Sequence, residues 1–169
     1  MIQRLGDLVP DVHPDAWVHE RATVIGDVTI GPGSSIWPGA VLRGDYGPIR
    51  IGARTSIQDN AVIHADGEGT TIGDGCIVGH LAFVENAVVG DACLVGVGAR
   101  LLPGTRLDDG AVAAAGAVAV GVHVPAGHRA QGVPAKVVPT DGPGRAYVEE
   151  GARRYEDMAR RHRDAAGPA

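Results

Sequence analysis

Two of the seven histidines lie inside a regular part of the sequence, where their side chains could bind a metal or accept a proton. His64 directly follows Ile63, and His80 comes two residues after Val78. If the chain coils with about 18 residues per turn, their spacing places both histidines on one face. A zinc site needs three or four ligands, so the pair alone does not establish a metal. We expect the other five histidines to be solvated or packing residues: His13, His19, His123, His128 and His162.

A second set of polar residues surrounds the first histidine in the sequence. Arg43 and Asp45 precede it, and Gln58 and Asp59 lie about one coil after Arg43 and still before His64. A charged side chain within an aliphatic repeat needs a partner, because burying an unpaired charge is costly. The residues alone leave two interpretations open, a structural ion pair or an ordered shell around a site.

The elements that position these residues follow from a repeat of six. This period is neither 3.6 nor 2, so neither an amphipathic helix nor a simple hairpin array explains it. A six-residue period is typical of a parallel β-helix, in which each hexapeptide supplies one short strand and one turn. Gly often follows the aliphatic residue, and we expect it to adopt turn conformations that other residues resist. The five registers are Val18, Val24, Ile30, Ile36, Leu42; Ile51, Ile57, Ile63; Ile72, Val78, Val84; Val89, Val95, Leu101, Leu107; and Val112, Val118, Val124.

Two interruptions of the repeat predict loops that leave the regular coil. The steps from Leu42 to Ile51 and from Ile63 to Ile72 each contain three extra residues. The extra residues fall within 44–48 and 66–69, and such excursions from a solenoid often carry function.

The composition limits both the fold and the function. The chain has 26 Gly and 11 Pro among 169 residues, which excludes a helix bundle over most of its length because both residues disfavour helix interiors. Its net charge of −5 predicts no nucleic-acid partner. The sequence starts without a signal-like apolar run and contains no run approaching a membrane span, so we expect a cytoplasmic protein away from the membrane. Cys76 and Cys93 are then expected to be reduced and buried.

The composition changes after residue 140, and this change predicts a division of the chain. Residues 1–140 form the predicted β-helix domain, and residues 141–169 a linker and an α-helix packed on its outside. Residues 145–164 contain six Arg, five acidic residues and no Pro. The predicted semi-apolar stripe of this helix is Tyr147, Gly151, Tyr155, Met158 and His162.

Four motifs, collinear over about residues 10 to 160, resemble the gamma-class carbonic anhydrase family. Acyltransferases share the hexapeptide repeat without this run of motifs, and the sequence shows no long loop to hold an acyl donor. The resemblance implies an all-β, left-handed parallel β-helix with a C-terminal α-helix. The motifs lie at residues 36–45, 57–64, 72–80 and 132–138.

The resemblance also implies a homotrimer with a metal, expected to be Zn²⁺, at each subunit interface, held by three histidines of which two come from one chain and one from its neighbour. His64 matches the first ligand, and His80 the second, which the adjacent subunit contributes. Arg43 and Asp45 match an interfacial ion pair. The remaining matches are Gln58, a polar residue beside the metal-bound water, Asp59, a structural acid at the interface, and Tyr155, a helix tyrosine that can reach the site.

The third ligand departs from the family pattern, because Glu85 stands where the family has histidine and Asn86-Ala87 where it has Gly-Cys. Two histidines and a glutamate form an established zinc site and also suit ferrous iron, with Co²⁺ a further alternative. An anionic ligand would acidify the bound water less. Three outcomes are open. Glu85 is a ligand for the same hydration chemistry, slower or shifted to higher pH; it is a ligand for other chemistry; or the metal is lost and Glu85 is solvated or paired to a neighbouring cation.

The function that the resemblance implies is reversible hydration of CO2 by a metal-dependent hydro-lyase. One alternative is an enzyme of another class on the same fold, acting on a thioester or a pathway intermediate. The other is a metal-free trimeric binding or scaffold protein.

Overall fold

The computed structural model describes residues 1–141 and 144–165. They form a left-handed parallel β-helix of about seven turns followed by one helix, which confirms the predicted fold. Part of the predicted linker and helix segment, residues 142, 143 and 166–169, lies outside the described residues. The elements are β1 (Ile2–Gln3), β2 (Asp11–Val12), β3 (Trp17–Val18), β4 (Thr23–Ile30), β5 (Ser35–Ile36), β6 (Val41–Ile51), β7 (Ser56–Ile57), β8 (Val62–Asp66), β9 (Thr70–Ile72), β10 (Ile77–Val78), β11 (Phe83–Glu85), β12 (Val88–Val89), β13 (Leu94–Val95), β14 (Arg100–Leu102), β15 (Arg106–Leu107), β16 (Val112–Ala113), β17 (Val118–Val120), β18 (His123–Val124), β19 (His128–Gln131), β20 (Lys136–Pro139) and α1 (Arg145–Ala165).

The strands stack in two sheets that wrap around a single aliphatic core. A 12-stranded sheet covers two faces of the coil, and an 8-stranded sheet covers the third. Ile36, Ile57, Val78 and Val95 lie opposite one another in successive parallel strands and are fully buried. The inward column of the hexapeptide repeat is therefore confirmed on this face. Each coil supplies backbone partners for the next, so the strands depend on their neighbours.

The fifth predicted register is wrong by one residue at Val112 and Val118, whereas Val124 lies opposite Leu107 and is fully buried, as predicted. Ala113 lies opposite Val95, and Ala119 lies opposite Leu101, so these alanines point inward. Val118 is only partly buried. The period of six continues unbroken from Leu107 through both alanines, but alanine is a weaker signal of an inward position than the valine beside it.

The glycines after the inward aliphatics serve close packing, which differs from the expectation of turn conformations. Gly31, Gly52, Gly73 and Gly90 are not among the residues with positive φ. A Cβ on Gly52 would lie 2.6 Å from the carbonyl carbon of Gly73, and one on Gly73 would lie 2.8 Å from that of Gly90. Adjacent coils therefore approach too closely at this corner for any larger residue.

Both predicted excursions are present. Gly26 pairs with Gly44 and Val28 with Ile49, so residues 45–48 leave the ladder between β4 and β6. The second excursion follows β8, where a turn at residues 67–68 leads through Gly69 into β9. These excursions lengthen their coils beyond the regular repeat, and both lie at the corner between the two faces of the 12-stranded sheet, where β6 passes from β8 to β9.

Helix α1 packs on the 8-stranded sheet, against β3, β5, β7 and β10. Its buried side chains are Val148, Ala152 and Ala159. The predicted stripe is therefore partly wrong, because Tyr147 and Met158 are 65% and 42% exposed. Small residues on the packed face let the helix axis approach the sheet, which pushes the larger side chains to its edge. The described helix is not long and apolar enough to cross a membrane.

The two cysteines are free and buried, as predicted. They stack in successive coils, where the Cys93 amide donates to the Cys76 sulfur at 3.4 Å. Interaction with Cys93 and burial raise the pKa of the Cys76 thiol. Cys76 therefore remains a neutral packing residue at neutral pH.

Candidate functional site

A column of polar side chains crosses three coils of the 12-stranded sheet, beside the corner where β6 passes from its pairing with β8 to its pairing with β9. Arg43 of β6 lies opposite His64 of β8, which lies opposite Glu85 of β11. Each follows a fully buried aliphatic residue in its strand, so all three side chains point outward. Neighbours in this column are 21 residues apart because both coils carry an excursion.

The imidazole of His64 lies between two carboxylates of its own chain. Its Nδ1 is 2.7 Å from Oε1 of Glu85, and its Nε2 is 3.2 Å from Oδ1 of Asp45. Asp45 reaches this position from the first excursion and also forms an ion pair with Arg43. The His64 side chain is only 14% exposed. Because ionised carboxylates only accept hydrogen bonds, each ring nitrogen donates where its carboxylate partner is charged.

The ion pair changes the acidity of Asp45. Burial acts to raise the pKa of its carboxyl group, but hydrogen bonds from Arg43, its own backbone and His64 outweigh this effect and lower the pKa. The carboxylate is therefore fully ionised at neutral pH and can hold the His64 ring in a fixed orientation.

A second cluster, formed by Asp59 and His80, lies in the turns that follow β7 and β10 of the 8-stranded sheet. These turns lead into β8 and β11, the strands that carry His64 and Glu85. His80 Nδ1 lies 3.0 Å from Oδ2 of Asp59, and the two side chains are 46% and 39% exposed. A ring that donates from Nδ1 to a carboxylate presents its Nε2 lone pair when neutral. His80 is thus oriented by Asp59 as metal-ligating histidines are oriented by carboxylates.

Gln58 and Tyr155 line a groove together with His80. The groove lies between α1 and the coils and has a volume of about 730 Å³. Gln58 is 3% exposed, and the Tyr155 ring contacts that of Trp37 with centroids 5.9 Å apart. Apolar side chains form much of the remaining wall, among them Leu94, Val97 and Met158.

The eight predicted site residues therefore lie in two places. The register that pairs Ile57 with Val78 places Asp59 opposite His80 in the next coil, and the Leu81 amide donates to the Asp59 carbonyl. His80 therefore does not stack on His64, although its spacing predicted this. Stacked neighbours here are 21 residues apart, because the excursion lengthens the coil. His80 follows His64 by five residues fewer than that and so lies before the stacked position, which Glu85 occupies. From His80 to Glu85 the chain passes through a turn at residues 80–81 and then along β11, so the two side chains lie at opposite ends of this stretch. Within one chain, among residues 1–141 and 144–165, no three His, Cys, Asp or Glu side chains are grouped to hold a metal.

The donor types of the candidate ligands fit a divalent metal. His64 and Glu85 present a ring nitrogen and a carboxylate oxygen to one another. His80 would add a second imidazole from a neighbouring copy, completing a set of two histidines and one glutamate. Zinc takes this set in open catalytic sites.

Sequence reasoning missed two residues that support the first cluster. Thr70, which is buried, donates from Oγ1 to the His64 carbonyl and accepts from the Asn86 amide. Asn86 has a φ of +45°. A signal was available for Asn86, because it replaces glycine in the family motif and asparagine tolerates left-handed conformations better than most residues.

Comparisons with known proteins agree with the repeat. A family model described as bacterial transferase hexapeptide, with six repeats, matches residues 10–44. A crystal structure of a hexapeptide transferase family protein from Anaplasma phagocytophilum superposes with a TM-score of 0.90 at 32% identity. That alignment covers 94% of this chain and 96% of the other.

Among curated proteins, the chain is 40% identical over 166 residues to mitochondrial gamma carbonic anhydrase 2 of Arabidopsis thaliana. The match covers 92% of this chain, which spans 59% of the plant protein's length. It is also 35% identical over 133 residues to the carnitine operon protein CaiE of Escherichia coli O157:H7, covering 78% of this chain and 68% of CaiE. The chain therefore belongs to the hexapeptide-repeat family, and within that family it is similar to the gamma-class carbonic anhydrases.

Proposed function

We propose that this protein is a metal-dependent hydro-lyase that hydrates CO2 reversibly at sites between the subunits of a homotrimer. The proposal is supported by the similarity to a gamma carbonic anhydrase. It is also supported by the separation of the candidate ligands into two groups, His64 with Glu85 in one and His80 in the other. His64 and Glu85 of one chain and His80 of the next would hold Zn²⁺, with Fe²⁺ or Co²⁺ as alternatives.

The observation that carries the proposal is the contact between Glu85 and His64. Glu85 lies opposite His64 in the parallel ladder, and its carboxylate is 2.7 Å from the ring. The residue that replaces the family's third histidine is thus of a metal-binding type and contacts the first candidate ligand, which supports the proposal.

The chain's own residues would each have a distinct task. A bound zinc ion supplies a water of lowered pKa as the nucleophile for CO2 hydration. Gln58 would orient that water from the groove, and the Tyr155 side chain lines the same approach. Asp45 and Asp59 hold the His64 and His80 rings, and Arg43 keeps Asp45 ionised.

Elemental analysis of protein purified without chelators, together with CO2 hydration measured by stopped flow across pH, tests this proposal. We expect up to one divalent ion per chain and activity that rises with pH. Glu85→His removes a negative charge from the ligand set, so it should shift the activity profile to lower pH. Glu85→Gln should lose metal, whereas Glu68→Gln, an exposed control, should not. Metal-free protein without hydration activity would overturn the proposal.

The oligomeric state gives an independent test. Sedimentation velocity should show a trimer, because His80 can join His64 and Glu85 only from another chain under this proposal. A monomer that retains stoichiometric metal would contradict the shared site.

The groove favours a second candidate function, an enzyme that acts on an acyl thioester. A cavity of about 730 Å³ is far larger than CO2 requires, and its walls are largely apolar beside Gln58 and His80. Hydrolysis or transfer of a short-chain acyl thioester, with no CO2 hydration, would favour this candidate. A trimer with neither metal nor activity would instead indicate a binding or scaffold protein.

A further inference from the structure

Thr70 lies beside the column formed by Arg43, His64 and Glu85. The ladder between β8 and β11 ends at the pair His64 and Glu85, because β11 ends at Glu85 and the chain turns at Asn86, which has a positive φ. Thr70 begins the next strand, and it is 1% exposed. Its hydroxyl lies where the ladder stops.

The Thr70 hydroxyl joins the two peptide groups that follow the candidate ligands. Its Oγ1 donates to the carbonyl of His64 at 2.5 Å. The same oxygen accepts from the amide of Asn86 at 2.8 Å, and this amide belongs to the peptide bond that follows Glu85. One side-chain oxygen therefore replaces the missing backbone hydrogen bonds and ties both strand ends together.

Asn86 secures the same corner from the other side. Its Oδ1 accepts from the Asp66 amide at 2.8 Å, while its carbonyl accepts from Gly104 at 3.1 Å. Its positive φ turns the chain sharply after Glu85. The excursion between β8 and β9 is thus fixed to the coil that carries Glu85.

We infer that Thr70 is a positioning residue that sets the alignment of His64 with Glu85 and thereby the affinity of the site for metal. The effect on metal rests on the proposed function, but the effect on the two side chains does not. A shift of either strand end alters where its outward side chain points, since the side chain and the following peptide share one Cα. Neighbouring residues that orient ligands typically contribute about 10- to 100-fold to metal affinity.

The fold offers a matched control in Thr105, which is also 1% exposed. Thr105 precedes β15, two coils beyond Thr70 in the same corner. Its hydroxyl donates to the Ala119 carbonyl at 3.1 Å, away from the candidate ligands. Thr70→Val and Thr105→Val therefore remove equally buried hydroxyls, and Thr70→Ser restores the oxygen.

The first measurement uses protein dialysed against a chelator, and observes the His64 ring by ¹⁵N–¹H NMR, assigned with His64→Gln. We expect Thr70→Val to shift the Nδ1 signal, while Thr105→Val and Thr70→Ser leave it near the wild-type position. An unchanged Nδ1 signal in a folded Thr70→Val protein would overturn the inference. This result would stand whether or not the protein binds metal.

The second measurement is Zn²⁺ affinity by competition with a chelating dye. Thr70→Val should weaken binding by about tenfold, and Thr105→Val should leave it within about twofold. Equal loss in both variants would show a purely structural role and overturn the inference. If wild-type protein binds no zinc, the proposed function fails, and the NMR result alone decides the role of Thr70.

Discussion

The two histidine clusters differ in how completely one chain satisfies them. His64 is 14% exposed and contacts a carboxylate with each ring nitrogen, whereas His80 is 46% exposed and contacts Asp59 with one. The first cluster is assembled by strand register and an excursion within one chain. The second leaves a ring nitrogen and much of its surface available. This asymmetry agrees with the proposed site between subunits, in which one half is fixed within a chain and the other is open to a neighbour.

The largest expected contrast comes from removing each histidine in chelator-treated protein. His64→Ala leaves the partly buried Glu85 carboxylate without its hydrogen-bond partner, so we expect the free energy of unfolding to fall by about 2 kcal/mol. His80→Ala removes a half-exposed contact and should cost less than about 1 kcal/mol. Urea denaturation measures both, and equal losses would contradict the distinction between a closed and an open cluster.

A smaller effect should appear in the acid stability of the first cluster. Because folding lowers the pKa of Asp45, its carboxylate stabilises the folded state above the unfolded pKa of about 3.9. This contribution is lost as pH falls through the lower folded-state pKa. Arg43→Gln removes a main cause of the lowering, so the stability gap between wild type and variant should narrow on acidification.

Thermal unfolding followed from about pH 6 down to pH 2 measures this gap. Arg50→Gln is a suitable control, since it breaks the more exposed ion pair with Asp27. A gap that stays constant or widens towards low pH for Arg43→Gln would show that Arg43 does not stabilise the ionised carboxylate.

The smallest expected effect concerns the second cluster, formed by His80 and Asp59. Asp59→Asn keeps the shape of the side chain but removes its charge beside His80. Both groups are more than one-third exposed, so the change in unfolding free energy should stay below about 0.5 kcal/mol. A loss above about 1 kcal/mol in urea denaturation would show that this pair stabilises the fold as strongly as a buried one.

Much of the fold could be predicted because the six-residue repeat of aliphatic residues can be read directly from the sequence. Each inward aliphatic meets its equivalents in adjacent coils, so Ile36, Ile57 and Val78 could be recognised without knowing the register. The prediction was wrong where inward residues are small, at Ala113 and Ala119. It was also wrong for the helix stripe, where the nearness of the sheet, rather than residue size alone, selects the packed face.

The site was harder to predict than the fold. The motifs identified Arg43, Asp45, His64 and Glu85 as candidates, but spacing alone wrongly stacked His80 on His64. The role of Thr70 could not be read from its type, because buried threonines such as Thr105 recur in the same corner.

The sequence by itself determined the coil and the candidate residues, since a six-residue period and its two interruptions follow from local chain composition. Only the tertiary structure decided which candidates meet. Contacts between His64, Asp45 and Glu85 join residues 19 and 21 positions apart. Their alignment depends on the length of each coil and on hydrogen bonds across an excursion. These are properties of the folded coil as a whole, and no single segment of the sequence contains them.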